Sequence, residues 1–166
     1  MGGFAGQKGQ GVAITVTNEI LVTGSTGGFF LPKKDVFLLK FSPEGQLQWN
    51  ITWGANGGDE GRGLVLDSTG NIFVGAKADS SKNYMDMALL KFSAEGELLW
   101  NISWGGGNID TPYGVVLDSH EQPVMAGESY PMDRRPLMLL SASSPLKESY
   151  SGTPLGQLIM QMWHMQ

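Results

Sequence analysis

The sequence predicts an all-β fold of four-stranded antiparallel sheets that repeat about every 51 residues. Three observations point there. Glycine supplies 24 of the 166 residues, roughly twice its average share, while 41% of the chain is hydrophobic. Residues 35–54, DVFLLKFSPEGQLQWNITWG, match residues 86–105, DMALLKFSAEGELLWNISWG, at fourteen of twenty positions. Between the copies, short apolar runs alternate with Asp, Ser, Gly and Asn, the punctuation of strands joined by tight turns. So much glycine is costly inside helices. Net charge is modest, and the apolar content is far above that of disordered chains.

The offset of 51 holds beyond the longest match. Gly63-Leu64-Val65-Leu66-Asp67 returns as Gly114-Val115-Val116-Leu117-Asp118, and Gly11-Val12-Ala13-Ile14 precedes the first of these by 52. The chain therefore divides into copies at about 2–53, 54–104 and 105–166 of one repeat domain, the third degenerate. In the second copy the pattern predicts strands at about 63–67, 71–76, 86–92 and 98–104. Asp67-Ser68-Thr69-Gly70-Asn71 turns the first pair, with Asp bonding its own turn and Gly taking a positive φ. Ser93-Ala94-Glu95-Gly96 turns the last pair, as Ser42-Pro43-Glu44-Gly45 does in the first copy. Sequential strands with short turns give an antiparallel meander.

Each strand has its own character. Val36-Phe37-Leu38-Leu39 is apolar on both faces, the mark of a strand covered on both sides. The fourth strand alternates, with Trp49, Ile51 and Trp53 on one face and Asn50 and Thr52 on the other, as an outermost strand with one wet side would. In the third copy Leu137-Met138-Leu139-Leu140 keeps the apolar run behind Arg134-Arg135-Pro136. Aligning Thr153–Leu158 with Ser42–Leu47 puts Leu158, Met160 and Met162 on one face of a last strand, while a rival alignment starts that strand at Ser144-Pro145.

Four-stranded sheets at this period are the signature of β-propeller blades. The blocks D-x-x-G-N-I-x-V and D-x-x-L-L-K-F-S-x-x-G-x-L-x-W-N-I-[ST]-W-G resemble the prokaryotic seven-bladed β-propeller (SBBP-type) repeat family, clearly over 11–118 and weakly over 119–166. The resemblance implies a propeller module of a surface or secreted protein and carries over no catalytic residues. Three blades fall short of the four to eight of closed propellers. Met1-Gly2 also aligns with Trp53-Gly54, a blade boundary. An incomplete or open propeller is expected, whose partners are further blades of a longer parent chain or a second copy.

Chemistry is sparse. Asp35/Asp86, Asp59/Asp110, Asp67/Asp118 and Glu44/Glu95 recur from copy to copy. Asp59, Glu60 and Asp110 could offer oxygens to calcium, but repetition favours turn caps, and no calcium-loop motif is present. His120 and His164 stand apart from any set of metal ligands. Gly127-Glu128-Ser129-Tyr130 only brushes a nucleophile elbow and breaks at Pro131. Gly6, Gly9 and Gly11 have the wrong spacing for a phosphate cradle. Trp49, Trp53, Trp100 and Trp104 alternate as blade-packing residues before they suggest sugar platforms. Asn50-Ile51-Thr52 and Asn101-Ile102-Ser103 are glycosylation sequons on the wet side of the outer strand.

A net charge of −5 with no basic cluster argues against nucleic acid. No apolar run is long enough for a membrane helix. The absence of cysteine removes disulfides and thiolate zinc sites. The expectation is a non-catalytic binding or scaffold segment at the cell surface or outside the cell, without metal or cofactor. Its ligand would be a protein or carbohydrate. The alternatives are a fragment of a propeller hydrolase or lyase whose site needs further blades, and a short propeller that self-assembles.

Overall fold

The computed structural model describes residues 6–27, 34–54, 57–79, 84–105, 109–129, 137–141 and 159–160, with the backbone alone at 129, 137–141 and 159–160. Every regular element among them is a strand. The first sheet holds β1 (Lys8–Ile14), β2 (Ile20–Ser25), β3 (Val36–Phe41) and β4 (Leu47–Trp53), and the second β5 (Glu60–Leu66), β6 (Ile72–Asp79), β7 (Met85–Phe92) and β8 (Leu98–Trp104). The third holds β9 (Asp110–Leu117), β10 (Pro123–Ser129), β11 (Leu137–Ser141) and β12 (Ile159–Met160). All neighbours pair antiparallel in chain order, so each sheet is a meander. The fold is all-β, an open array of propeller-like blades.

Strand ends run past the predicted ones where a partner strand extends them. β5 starts at Glu60 and β6 continues to Asp79, because Glu60 pairs with Lys77, and Lys77, Ala78 and Asp79 pair with Met87, Asp86 and Met85. In the tail, the backbone of Ile159 and Met160 lies against Ser141 and Leu140. Leu158, Met162, Arg134–Pro136 and the rival strand start at Ser144 lie outside the described residues.

One piece of turn chemistry is used throughout. An oxygen at the first turn position accepts backbone N–H groups two and four residues on, which satisfies donors that the ladder has left. Thr15 does this for Thr17 and Glu19, Asp67 for Thr69 and Asn71, and Asp118 for His120 and Gln122. Ser42 and Ser93 do the same between the third and fourth strands. Those backbone bonds from Gln122 and His120 hold the Asp118 carboxyl below its ordinary pKa. At the position that needs a positive φ, the three inner turns carry Asn18, Gly70 and Glu121. A glutamate there is strained by about 1–2 kcal/mol. In compensation its carboxylate accepts from Ser68 N and Oγ of the neighbouring blade, both at 2.9 Å.

The core lies between sheets. Leu21, Val36 and Leu38 of the first sheet pack with Ile72, Val74, Ala76, Ala88, Leu90 and Phe92 of the second, with Trp49, Ile51, Trp53, Leu64 and Leu66 around them. Phe73 and Leu89 on the far face of the second sheet pack with Val115 of the third, flanked by Val65, Trp100, Trp104 and Leu117. Met87, Met125 and Trp104 close the same interface. Fully burying one such aliphatic or aromatic side chain contributes about 1.5–3 kcal/mol. Period-2 alternation makes this possible: one face of the second sheet packs on the first blade and the other on the third.

Candidate functional site

The innermost strands β1, β5 and β9 stand side by side, and their glycines let the backbones meet. A Cβ on Gly11 would fall 3.0 Å from Gly63 Cα, and one on Gly63 would fall 3.7 Å from Gly114 Cα. Each inner strand carries one extra residue just before that glycine. The register jumps between Gly9 and Gly11, between Gly61 and Gly63, and across Pro112 and Gly114, so Gln10, Arg62 and Tyr113 are β-bulge residues. A bulge turns a side chain out of the regular alternation. Packing positions are copied between blades, whereas this position is not.

Charge gathers around the middle bulge. Glu60 accepts from Arg62 Nη2 at 2.7 Å and from Lys34 Nζ at 3.3 Å, and Lys77 pairs with Glu60 across the ladder. Burial pushes the Glu60 carboxyl up, but Arg62, Lys34 and Lys77 outweigh it and leave the group below its ordinary pKa. Burial also holds the Lys77 ammonium below its usual range; Glu60 opposes this, and Arg62 and Lys34 add to it. Lys34 reaches the cluster because its N–H donates to Gly57 O at 2.9 Å and its carbonyl accepts from Asp59 N at 2.8 Å. The corresponding place in the third blade is filled by Tyr113, whose hydroxyl donates to Glu128.

The recurrent aspartates build the joints between blades. Asp59 and Asp110 are buried, and Asp59 Oδ1 accepts from Asp79 N at 2.7 Å. Gly54 has φ +151, and a Cβ there would come within 2.5 Å of Asp59 Oδ2 and 2.6 Å of Asp35 Oδ1. Gly105 faces Asp86 and Asp110 in the same way. Only glycine leaves room for two carboxylates at the point where one blade hands over to the next. Asp59 and Asp110 thus serve separate joints, Glu60 is held by two cations, and no three acidic or imidazole groups converge among the described residues.

The other candidates fall in scattered places. Asn50 and Asn101 are exposed on the outermost strands β4 and β8. Trp49, Trp53, Trp100 and Trp104 are partly buried against the inter-blade clusters, and Trp100 meets Phe73 edge-on at 6.0 Å. His120 is exposed in a turn, and His164 lies outside the described residues. Gly127, Glu128 and Ser129 are in β10, while Tyr130 and Pro131 lie outside the described residues. Among the described residues no helix is long and apolar enough to cross a membrane. The Arg62 cluster was missed by sequence reasoning, although the unlike residues in Gly9-Gln10-Gly11, Gly61-Arg62-Gly63 and Pro112-Tyr113-Gly114 were a visible signal. No family model and no curated protein matches the chain.

Proposed function

We propose that this chain is a non-catalytic β-propeller repeat segment, a binding and scaffold module of a surface or secreted protein, whose first sheet receives a further blade of the same repeat. One observation carries the reading: the open face of the first sheet is built from the residues that are buried in the second. Val12, Ile14, Ile20 and Val22 occupy the positions of Leu64, Leu66, Ile72 and Val74. Ile72 and Val74 are 1% and 0% exposed where their counterparts Ile20 and Val22 are half-buried, and Leu64 and Leu66 are half-buried where Val12 and Ile14 are 67% and 65% exposed. The third sheet shows the opposite half of the same joint. Its Val116, 60% exposed, holds the position of Val65, which packs against the next blade. Contiguous apolar surface of this kind marks an interaction site.

In a solution of this chain alone, the available blade is the third blade of a second copy, and head-to-tail contact is the expected mode. Light scattering after size exclusion tests this. The parent should exceed its monomer mass of 17.9 kDa as concentration rises, and Val12→Glu/Ile14→Glu should return it to monomer. A parent that stays monomeric at every concentration, or a mass the double variant leaves unchanged, would overturn the proposal.

A further inference from the structure

We infer that the head-to-tail contact between copies is keyed by a polar latch, in which Ser119 in the third blade of one copy donates to the side-chain carbonyl of Asn18 in the first blade of the next. The inference rests on the stacking of blades proposed above and names the contact that fixes their order. Its template is the joint between the second and third blades, where the Glu121 carboxylate accepts from Ser68 N and Oγ, both at 2.9 Å. These bonds tie together the inner turns of successive blades. The donor stands one residue after the capping Asp67, and the acceptor stands at the positive-φ position of the next turn.

The two halves of the latch change together from joint to joint. Val16, Ser68 and Ser119 share the donor position, and Asn18, Gly70 and Glu121 share the acceptor position. Between the first and second blades both halves are lost: Gly70 has no side chain, and Val16 has no hydroxyl and is fully exposed. Between the second and third both are present. Ser119 and Asn18 are then a donor and an acceptor on the two outer blades, and both are exposed. Each stands in the backbone geometry of its counterpart. Asn18 has φ 63 and Glu121 φ 59, and Asp118 accepts from His120 N and Gln122 N as Asp67 does from Thr69 N and Asn71 N. Asparagine is one methylene shorter than glutamate, so its carbonyl takes the Ser119 hydroxyl, whose contact with His120 Nδ1, at 3.4 Å, is longer than an ordinary hydrogen bond. Apolar burial drives the association, while the latch selects the order. Two first sheets placed face to face would set Val16, without a hydroxyl, near Asn18.

The chain holds no cysteine, so introduced cysteines report the contact cleanly. Asn18→Cys and Ser119→Cys proteins are mixed and treated with the shortest bis-maleimide that bridges Ser68→Cys/Glu121→Cys within one chain. The yield of linked chain pairs, read by intact mass, should exceed that of either variant alone by at least about tenfold. It should exceed by as much that of Asn50→Cys mixed with Ser119→Cys, because Asn50 lies on the outermost strand β4. In light scattering, Asn18→Gly and Ser119→Ala should each weaken association roughly two- to tenfold. The double variant should be no weaker than either single one, since both remove the same bond. Should Asn18→Cys fail to fold, the scattering series decides alone. A parent that associates while the mixture links no better than its controls, or losses that add in the double variant, would overturn the latch and leave blade stacking standing. Equal linkage of Asn18→Cys alone would mean that first sheets meet each other, which overturns it too. A parent monomeric at every concentration would overturn both.

Discussion

Val74 and Val22 are the same residue at the same place in successive blades, and only one is covered. Val74 is 0% exposed beneath the first sheet, while Val22 lies on the open face beside Val12. Replacing Val74 by Ala removes two buried methyl groups, about 1.6 kcal/mol at about 0.8 kcal/mol each. A residual cavity of about 40 Å³ adds about 1 kcal/mol at about 24 cal/mol per Å³. The expected loss is therefore about 2.5 kcal/mol for Val74→Ala. Val22→Ala forfeits at most half the transfer energy and closes no cavity, about 0.8 kcal/mol. Urea unfolding followed by tryptophan fluorescence measures both. In thermal melts the gap corresponds to roughly 4–7 °C for a chain of this size. Equal losses at the two sites would refute the claim that one valine is covered by a blade and the other is not.

Other consequences follow from single contacts. Gly54→Ala drives a methyl into the Asp35 and Asp59 carboxylates and should cost more than about 3 kcal/mol, whereas Gly45→Ala, with open space but φ +81, should cost about 1–2 kcal/mol by the same urea assay. Glu121→Gly trades turn strain against two exposed bonds to Ser68 and should change stability by less than about 1 kcal/mol. At Asp67 burial raises the carboxyl pKa, but bonds from Asn71 and Thr69, helped by Lys91, bring it below the ordinary value. A lowered folded pKa gives stability that is present above the unfolded pKa, about 3.9, and lost as pH falls through the folded one. Urea midpoints should thus drop below about pH 4, and Asp67→Asn should flatten that part of the profile. Expressed in a secretory host that glycosylates, the chain should gain glycan mass at exposed Asn50 and Asn101, lost in Asn50→Gln/Asn101→Gln; an unchanged intact mass would discard the sequons.

Much of the fold was legible because it rests on local alternation. Trp49-Asn50-Ile51-Thr52-Trp53 announces one packed and one wet face, and Trp49, Ile51 and Trp53 do pack on the second blade while Asn50 and Thr52 are exposed. Asp67 and Gly70 announce their turn through chemistry that needs no tertiary partner. The Arg62 cluster was illegible for the opposite reason. A bulge adds one residue without changing the apolar period, so the unlike residues Gln10 and Arg62 between glycines are the one local sign of it, and they do not say which side chains gather there. Lys34 reaches Glu60 only through the bridge between blades, and Lys77 only because β6 outruns its predicted end.

Hydrogen exchange across the described strands is the most direct test of stacked blades. The second sheet is covered on both faces, and the first and third each show one open face. Backbone amides of β6 and β7 should exchange slowest, at the rate of global unfolding, and those of β1 and β2 faster through partial opening. Uniform protection across the sheets, or a first sheet more protected than the second, would contradict the stacked arrangement.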